Sequence, residues 1–190
     1  ALLRAFGGLD FLVSNAGVAH VASVDRLRLE DWERSFSVNA TGHFLVARAA
    51  VRLLRAQGMG GSLVFIASKN VLAPGKEFGA YSAAKAAQVQ LARVLAIENG
   101  EFGVRVNVVN PDGVFDGSGL WRAIGPSRAK TYRVRPEALA AYYRRRNLLQ
   151  ARILPEDVAE AVCFFVSRRS AKTTGCILTV DGGLREAFPR

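Results

Sequence analysis

Cysteine is scarce in this sequence, and none of its apolar runs is long. The two cysteines, Cys163 and Cys176, form neither a disulfide framework nor a C-x-x-C ligand pair. We expect both to be small buried hydrophobic residues in a reducing, cytoplasmic setting. The longest apolar runs, such as 161–166, cover only a few residues, whereas a helix that spans a bilayer needs about 20. No membrane segment is therefore predicted.

Histidine is also rare, and the first residues of the chain do not resemble the start of a complete protein. His20 and His43 have no partner at metal-ligand spacing, so no metal site is expected. The chain shows no secretory leader and opens with Ala1 rather than Met. We therefore do not expect Ala1 to be the natural N-terminus.

A glycine-rich phosphate loop is the most informative absence. No such loop joins an opening strand to a helix, and no acidic residue follows one at a distance of about 20 residues. The usual pyrophosphate and ribose signature of a dinucleotide site is therefore missing from the 190 residues.

Positive charge is abundant, with a net charge of +10. Residues 116–152 hold nine basic and two acidic side chains and so contribute +7 of that excess. Such a segment binds phosphate or an acidic ligand, contacts another subunit, or forms a solvated face. No nucleic-acid-binding motif accompanies the charge, so nucleic acid is not expected as a partner.

Short apolar strands alternate with helical stretches along the chain. The pattern predicts strands at 11–15, 62–67, 104–109 and 176–180, and helices at about 29–57, 80–99, 136–146 and 155–166. The rest of 115–152 is predicted to be irregular. This alternation implies one α/β domain, 1–190, with a Rossmann-like, doubly wound parallel sheet.

The motif Y-S-A-A-K at 81–85 indicates acid/base chemistry. On a helix, Tyr81 and Lys85 lie one turn apart on the same face. A phenol has a pKa near 10, and we expect the nearby ammonium to bring it closer to working pH. Ser68, thirteen residues upstream, is placed to hold a substrate oxygen while Tyr81 moves its proton.

Six motifs in a fixed order resemble the short-chain dehydrogenase/reductase family. They are S-N-A-G (14–17), V-N-A-T-G (38–42), Ser68, Tyr81 with Lys85, N-P (110–111) and V-D-G-G (180–183). The resemblance covers nearly the whole chain. It implies an enzyme that interconverts a small alcohol and a carbonyl with NAD or NADP, with NAD slightly favoured.

The resemblance also implies catalytic roles for four residues. Tyr81 would be the general acid/base, and Lys85 would lower its pKa and bind the nicotinamide ribose. Ser68 would stabilise the developing oxyanion. Asn39 would kink its helix and hold a water in the proton relay, unless it only forms local backbone bonds.

Cofactor contacts follow from the same resemblance. Asn15, Ala16 and Gly17 would support the sheet and allow close approach of the adenosine half of the cofactor, although a purely structural role remains open. Pro111 and Val114 would meet the nicotinamide carboxamide. The family pattern P-G-x-V-x-T is altered here, because Asp112 replaces its Gly and Asp116 its Thr.

Family members carry T-G-x-x-x-G-x-G near their start, so this chain matches them only from about the fourth strand onward. We therefore expect an N-terminally truncated domain that lacks the first strand-helix units and the glycine-rich loop. The strand at 11–15 would then have an open apolar edge.

Several stretches outside the catalytic set resemble the dehydrogenase half of bifunctional rhamnulose-1-phosphate aldolase/alcohol dehydrogenases. They are 110–121, 142–149, 154–162, 172–183 and the ending A-F-P-R at 187–190. The resemblance implies lactaldehyde, from rhamnose breakdown, as the substrate, and an aldolase domain upstream. A cytoplasmic homodimer or homotetramer is expected, since the small residues at 80–87 allow close packing of the helix that carries Tyr81 and Lys85.

Two other classes of function remain open. An inactive remnant would keep Ser68, Tyr81 and Lys85 but bind no dinucleotide. An anion-binding module would use the Arg-rich segment 116–152 and be indifferent to the loss of the Tyr81 hydroxyl.

Overall fold

A parallel sheet of four strands organises the computed structural model, which describes residues 2–188. The strands are β1 (Phe11–Ser14), β2 (Gly61–Ile66), β3 (Val104–Pro111) and β4 (Ile177–Val180), in the spatial order β1-β2-β3-β4. The helices are α1 (Leu2–Phe6), α2 (Leu29–Phe36), α3 (His43–Gln57), α4 (Gly79–Asn99), α5 (Gly119–Thr131), α6 (Leu139–Arg146) and α7 (Pro155–Val166). The predicted α/β class and doubly wound parallel sheet are confirmed. The expectation about Ala1, and the last two residues of the 187–190 stretch, lie outside the described residues.

Helices cover both faces of the sheet, and the side chains of β2 show why. Leu63 and Phe65 point into a core formed with α3 and α4. Val64 and Ile66 point the other way, into a core formed with α7. Successive residues of a strand face opposite sides, so a strand buried on both faces is apolar throughout.

The predicted helix at 29–57 is interrupted where Asn39 lies. The chain forms α2, then a π-helical turn at Ser37–Gly42, and then α3. Gly58 ends α3 in the left-handed conformation, with φ 69°. The π turn changes the direction of the Asn39 side chain relative to a regular helix, which matters for the site described below.

Helix α5 corrects the prediction of an irregular segment after 115. Its Gly125 and Pro126 disguise the helical pattern, because both are poor helix residues. The Ser118 hydroxyl accepts a hydrogen bond from Trp121 N at 3.2 Å and caps the helix. Ile124 and Ala129 are buried on its inner face, and this packing outweighs the poor propensity.

Both cysteines are free and exposed, so the prediction that they are buried is wrong. Cys163 lies on α7 between Ala161 and Phe165, which face the sheet, so the helical period turns Cys163 outward. Cys176 comes just before β4, at the outer edge of the sheet. Neither cysteine is covered by a further helix or strand among the described residues.

Strand β1 forms the opposite edge of the sheet. Its side chains Phe11 and Val13 are 47% and 37% exposed. This apolar edge is the one expected from the sequence, and it is available for pairing with further strands. Among residues 2–188, no helix is both long enough and apolar enough to cross a bilayer.

Glycine at position 60 lets β2 start beside β3. Gly60 has φ 73°, and a Cβ there would lie 2.7 Å from the Gly103 carbonyl oxygen. That oxygen accepts a hydrogen bond from Gly61 N at 3.3 Å, so it is not free to move away.

We expect Gly60→Ala to lower the free energy of unfolding by about 1–3 kcal/mol, because both the backbone angle and the close oxygen oppose a side chain. Urea denaturation measures it. Gly100→Ala is the matched control: Gly100 has φ −60° and no atom near its missing Cβ. Equal losses in the two variants would contradict this explanation.

Candidate active site

A cavity of about 610 Å³ opens at the carboxyl ends of the strands. Parallel sheets place their ligand sites at this end. Of the residues predicted from the sequence, seven line the cavity: Asn15, Gly17, Ser68, Tyr81, Lys85, Pro111 and Val114. Ala16 and Asn39 do not line it; Ala16 is bonded by His43, and Asn39 bonds Val18 in the loop after β1.

Ser68 lies just beyond β2 and begins the short 3₁₀ turn Lys69–Val71. Its hydroxyl oxygen accepts two hydrogen bonds from Asn70, one from the backbone N at 3.2 Å and one from Nδ2 at 3.0 Å. Because Asn70 donates both bonds, the Ser68 hydroxyl hydrogen is not used by them, and it points toward Tyr81. Asn70 was missed at the sequence level; its signal is a side-chain amide two residues after a serine that ends a strand.

Tyr81 and Lys85 lie one turn apart on α4 and are both buried. The Lys85 ammonium donates to the Ile66 carbonyl oxygen at 2.7 Å. Its Nζ is 5.9 Å from the centre of the Tyr81 ring. The hydroxyl of Ser68, the phenol and the amine therefore meet at one cavity, as the motif spacing requires.

The prediction that Lys85 lowers the pKa of Tyr81 is wrong for this structure. Burial raises the pKa of Tyr81 to about 12, and a hydrogen bond from Ser68 acts in the opposite direction. Burial also lowers the pKa of Lys85 to about 7. The physical reason is desolvation, which penalises the charged form of both groups. The phenol is therefore neutral, and the amine titrates near neutral pH.

Asn39 holds the loop after β1 rather than forming only local bonds. Its Nδ2 donates to Val18 O at 2.8 Å, and its Oδ1 accepts from Val18 N at 3.1 Å. A third bond runs from Nδ2 to Ser35 Oγ at 3.1 Å. Gly17 packs against this amide, and a Cβ at Gly17 would lie 3.3 Å from Asn39 Oδ1 and 3.9 Å from Lys85 Nζ.

His43 anchors the same loop and was not predicted to have a role. Its Nε2 lies 2.9 Å from Ala16 O, and its Nδ1 lies 2.6 Å from Ser14 Oγ. Ala16 O can only accept, so Nε2 carries the hydrogen and Nδ1 accepts from the Ser14 hydroxyl. Burial lowers the pKa of His43 to about 4, and Lys85 contributes to the decrease. A neutral imidazole thus ties α3 to the end of β1.

Asp112 and Asp116, the two residues that depart from the family pattern, lie in the loop after β3 and have different surroundings. Asp112 lines the cavity, and burial raises the pKa of its carboxyl, against the opposing effect of Lys69. Asp116 instead forms an ion pair with Arg152 at 2.6 Å. Val114 pairs with Ile153 in an isolated parallel bridge, which holds this loop beside α7.

The cavity wall has the features that the nicotinamide-ribose half of a dinucleotide requires. Gly17 leaves open space beside Lys85 Nζ, and the amine retains hydrogens beyond the one given to Ile66 O. No Gly-rich phosphate loop occurs in the sequence, so the fit concerns this half alone. In the part of the chain that the structure describes, no cluster of His, Cys, Asp and Glu is suited to a metal ion.

Comparisons with known proteins agree with this geometry. A family model described as enoyl-(acyl carrier protein) reductase matches residues 1–185. The chain is 47% identical to the uncharacterized oxidoreductase YuxG of Bacillus subtilis over 98% of its length, which is 27% of that protein. It is 33% identical to D-threitol dehydrogenase of Mycolicibacterium smegmatis over 96% of its length and 65% of that protein's.

A solved structure shares the fold closely. Sorbitol-6-phosphate 2-dehydrogenase SrlD from Erwinia amylovora superposes with a TM-score of 0.89 at 32% identity, covering 95% of this chain and 70% of that one. The chain thus spans about a quarter of YuxG and somewhat under two thirds of the threitol enzyme.

The His43 anchor predicts a pH dependence of stability. Between about pH 6.5 and 4 the unfolded chain binds a proton at His43 that the folded chain does not, so stability falls as the pH falls through this window. In His43→Gln this contribution should be absent. Urea denaturation across the window measures it; the matched variant His20→Gln leaves the His43 hydrogen bonds in place. An unchanged slope in His43→Gln would contradict the assignment.

Proposed function

The chain belongs to the short-chain dehydrogenase/reductase family, and we propose that it forms the C-terminal part of a domain that interconverts a small alcohol and its carbonyl using NAD or NADP. The observation that carries this proposal is the meeting of Ser68, Tyr81 and Lys85 at one cavity of about 610 Å³. The exposed edge of β1 supports the assignment to part of a larger domain.

Ser68 binds and polarises the reacting oxygen. Asn70 occupies the acceptor positions of Ser68, so the serine hydroxyl donates toward a carbonyl oxygen on which negative charge develops. A donor fixed in this way stabilises the transition state more than the ground state.

Tyr81 transfers the proton. Its hydroxyl is neutral because burial raises its pKa to about 12, which suits it to donate a proton when a carbonyl is reduced. In the oxidative direction, Tyr81 takes the proton of the alcohol as it gives its own proton to the neutral amine of Lys85. Lys85, with a pKa of about 7, takes up or returns the Tyr81 proton near neutral pH.

A bound nicotinamide supplies or accepts the hydride. Lys85, Tyr81 and the space beside Gly17 would hold the nicotinamide ribose, and Pro111 with Val114 would contact the carboxamide. Asn15 and Ala16 would support the loop nearer the adenosine half. We favour NAD, on the resemblance alone.

For the substrate we propose lactaldehyde or its alcohol, formed in rhamnose breakdown, with an aldolase domain in the same protein and a cytoplasmic location. The resemblance of residues 110–121 and 172–183 to bifunctional aldolase/dehydrogenases supports this proposal. The relation to YuxG, in which the match accounts for 27% of the length, is consistent with a longer, multidomain protein.

A homo-oligomer is proposed, with α4 at the interface. Ala86 and Ala87 are exposed on this helix beside Val94 and Ile97. Small residues allow two such helices to approach closely, and Ile97 is 83% exposed, which is costly for a large apolar side chain without a partner.

Removing the phenol tests the catalytic proposal. In the complete protein, Tyr81→Phe should reduce turnover at least about a hundredfold and change the dinucleotide Kd far less, because the proton transfer is lost while Lys85 and the neighbouring loops still hold the nucleotide. Steady-state kinetics and a cofactor titration measure the two quantities. Tyr142→Phe, the same change outside the cavity, is the control.

Retained turnover in Tyr81→Phe would overturn the proposal. No binding of dinucleotide by the complete protein would instead support the inactive-remnant alternative.

The interface is tested separately. Ile97→Glu should convert the oligomer into smaller species, since it places a carboxylate in the proposed contact. Light scattering after size-exclusion chromatography measures the mass. Leu149→Glu, which changes another exposed residue outside α4, should retain the assembly. An oligomer that survives Ile97→Glu would contradict an interface on α4.

A further inference from the structure

The cavity has a basic wall that the proton chemistry does not use. We propose that Lys69 and Arg128, arranged by Asn70, bind an anionic group of the substrate or product, either a carboxylate or a phosphate. This inference rests on the proposed dehydrogenase function and refines its substrate: it predicts a compound with a carboxylate or phosphate group in place of the neutral lactaldehyde.

Arg128 is fixed in place before any ligand binds. It is 1% exposed, and its guanidinium lies over the rings of Phe78 and Tyr132, 4.1 and 4.6 Å from their centres. Nη1 donates to Lys76 O at 2.5 Å and Nη2 to the Tyr132 hydroxyl at 2.6 Å. The guanidinium also bonds Tyr143, while its Nε hydrogen has no partner.

Lys69 directly follows the reactive serine and is 4% exposed. Its ammonium donates one hydrogen bond, to Ala73 O at 2.8 Å, and two hydrogens remain. Among the described residues, no salt bridge joins a carboxylate to Lys69 or Arg128. Buried cations without such a partner are costly, and a ligand anion would offset this cost.

Asn70 lies between the reacting serine and Arg128. Its Oδ1 accepts from Gly75 N at 2.7 Å while its Nδ2 donates to Ser68. A Cβ on Gly75 would lie 3.1 Å from Asn70 Oδ1 and 3.2 Å from Arg128 Nη2. The Arg128 guanidinium and the Asn70 amide, which bonds Ser68, therefore lie close together beside Gly75, which has no side chain.

The charges that line the cavity leave a positive excess. Lys69, Lys85 and Arg128 line it with Asp112 and Asp116. Asp116 forms its ion pair with Arg152. Burial raises the pKa of Asp112 and lowers the pKa of Lys69, so it opposes the charged form of both, and the guanidinium of Arg128 is the permanent charge of the wall. Behind this wall, Arg146 adds positive charge near Asp112, and Glu186 adds negative charge near Lys69. The wall thus attracts an anion without forming a closed ion pair of its own.

The structure also divides the Arg-rich segment 116–152. Seven of its nine basic residues are exposed: Arg122, Lys130, Arg133, Arg135, Arg144, Arg145 and Arg152. Arg146 is half-buried against the tyrosine cluster of α5 and α6. Only Arg128, among the nine, lines the cavity. The anion site therefore belongs to the reaction cavity and not to a polyanion-binding face.

Matched aldehydes test the proposal on the complete protein. Succinic semialdehyde is compared with butyraldehyde, and glyceraldehyde 3-phosphate with glyceraldehyde. We expect kcat/KM to be at least tenfold higher for the anionic member of one pair, which also identifies carboxylate or phosphate as the group bound. The ratio of kcat/KM for the anionic aldehyde to kcat/KM for its neutral partner should fall at least tenfold in Lys69→Met and in Arg128→Lys. It should stay at its wild-type value in Lys76→Met, which removes an exposed lysine outside the cavity.

A binding measurement separates this site from the catalytic proposal. Inorganic phosphate and acetate are titrated calorimetrically into the wild type, Tyr81→Phe, Lys69→Met and Arg128→Lys. Binding of either anion that survives Tyr81→Phe and is weakened at least tenfold by Lys69→Met supports the site, whatever the turnover. The proposal would be overturned if the neutral aldehyde reacted as well as its anionic partner in both pairs. It would also be overturned if neither Lys69→Met nor Arg128→Lys changed the affinity for the anion.

Discussion

The hydrogen bond from Lys85 Nζ to the Ile66 carbonyl oxygen, 2.7 Å long, is the contact on which the site depends. It ties the second turn of α4 to the end of β2, and so brings the phenol of Tyr81 to the serine two residues after Ile66. An ammonium buried at this point costs free energy unless its hydrogens are used. The same burial shifts the amine to a pKa of about 7, so the contact that positions Lys85 also makes it able to exchange a proton.

The other loops of the site are held in the same manner, by polar side chains that replace missing backbone partners. Asn39 pairs with both polar backbone atoms of Val18, and His43 bonds Ala16 O. Asn70 bonds Ser68 and Gly75. Chain segments that leave the carboxyl ends of parallel strands lose their ladder partners, and these side chains supply substitutes. The cavity is therefore shaped by buried amides and an imidazole before any ligand arrives.

Local patterns were enough to predict the sheet and most helices, because burial on one or both faces leaves a periodic signature in residues such as Leu63 to Ile66. The meeting of Ser68, Tyr81 and Lys85 was also predictable, since helical spacing and strand order determine it. Helix α5 was missed because packing of Ile124 and Ala129 outweighs the low propensity of Gly125 and Pro126. The exposure of Cys163 and the raised pKa of Tyr81 depend on which neighbours enclose a residue, and composition does not contain that information.

The charged residues show most clearly what a sequence alone does not reveal. From the sequence alone, the basic residues of 116–152 form one excess of positive charge, and nothing distinguishes the role of one from that of another. In the fold, solvent screens the exposed members, while Arg128 lies in a desolvated wall where a charge interacts strongly. The cation that we propose for anion binding is thus the least exposed of the nine. Its neighbour in this wall, Lys69, lies outside the basic segment of the sequence, so only the folded chain brings the two together.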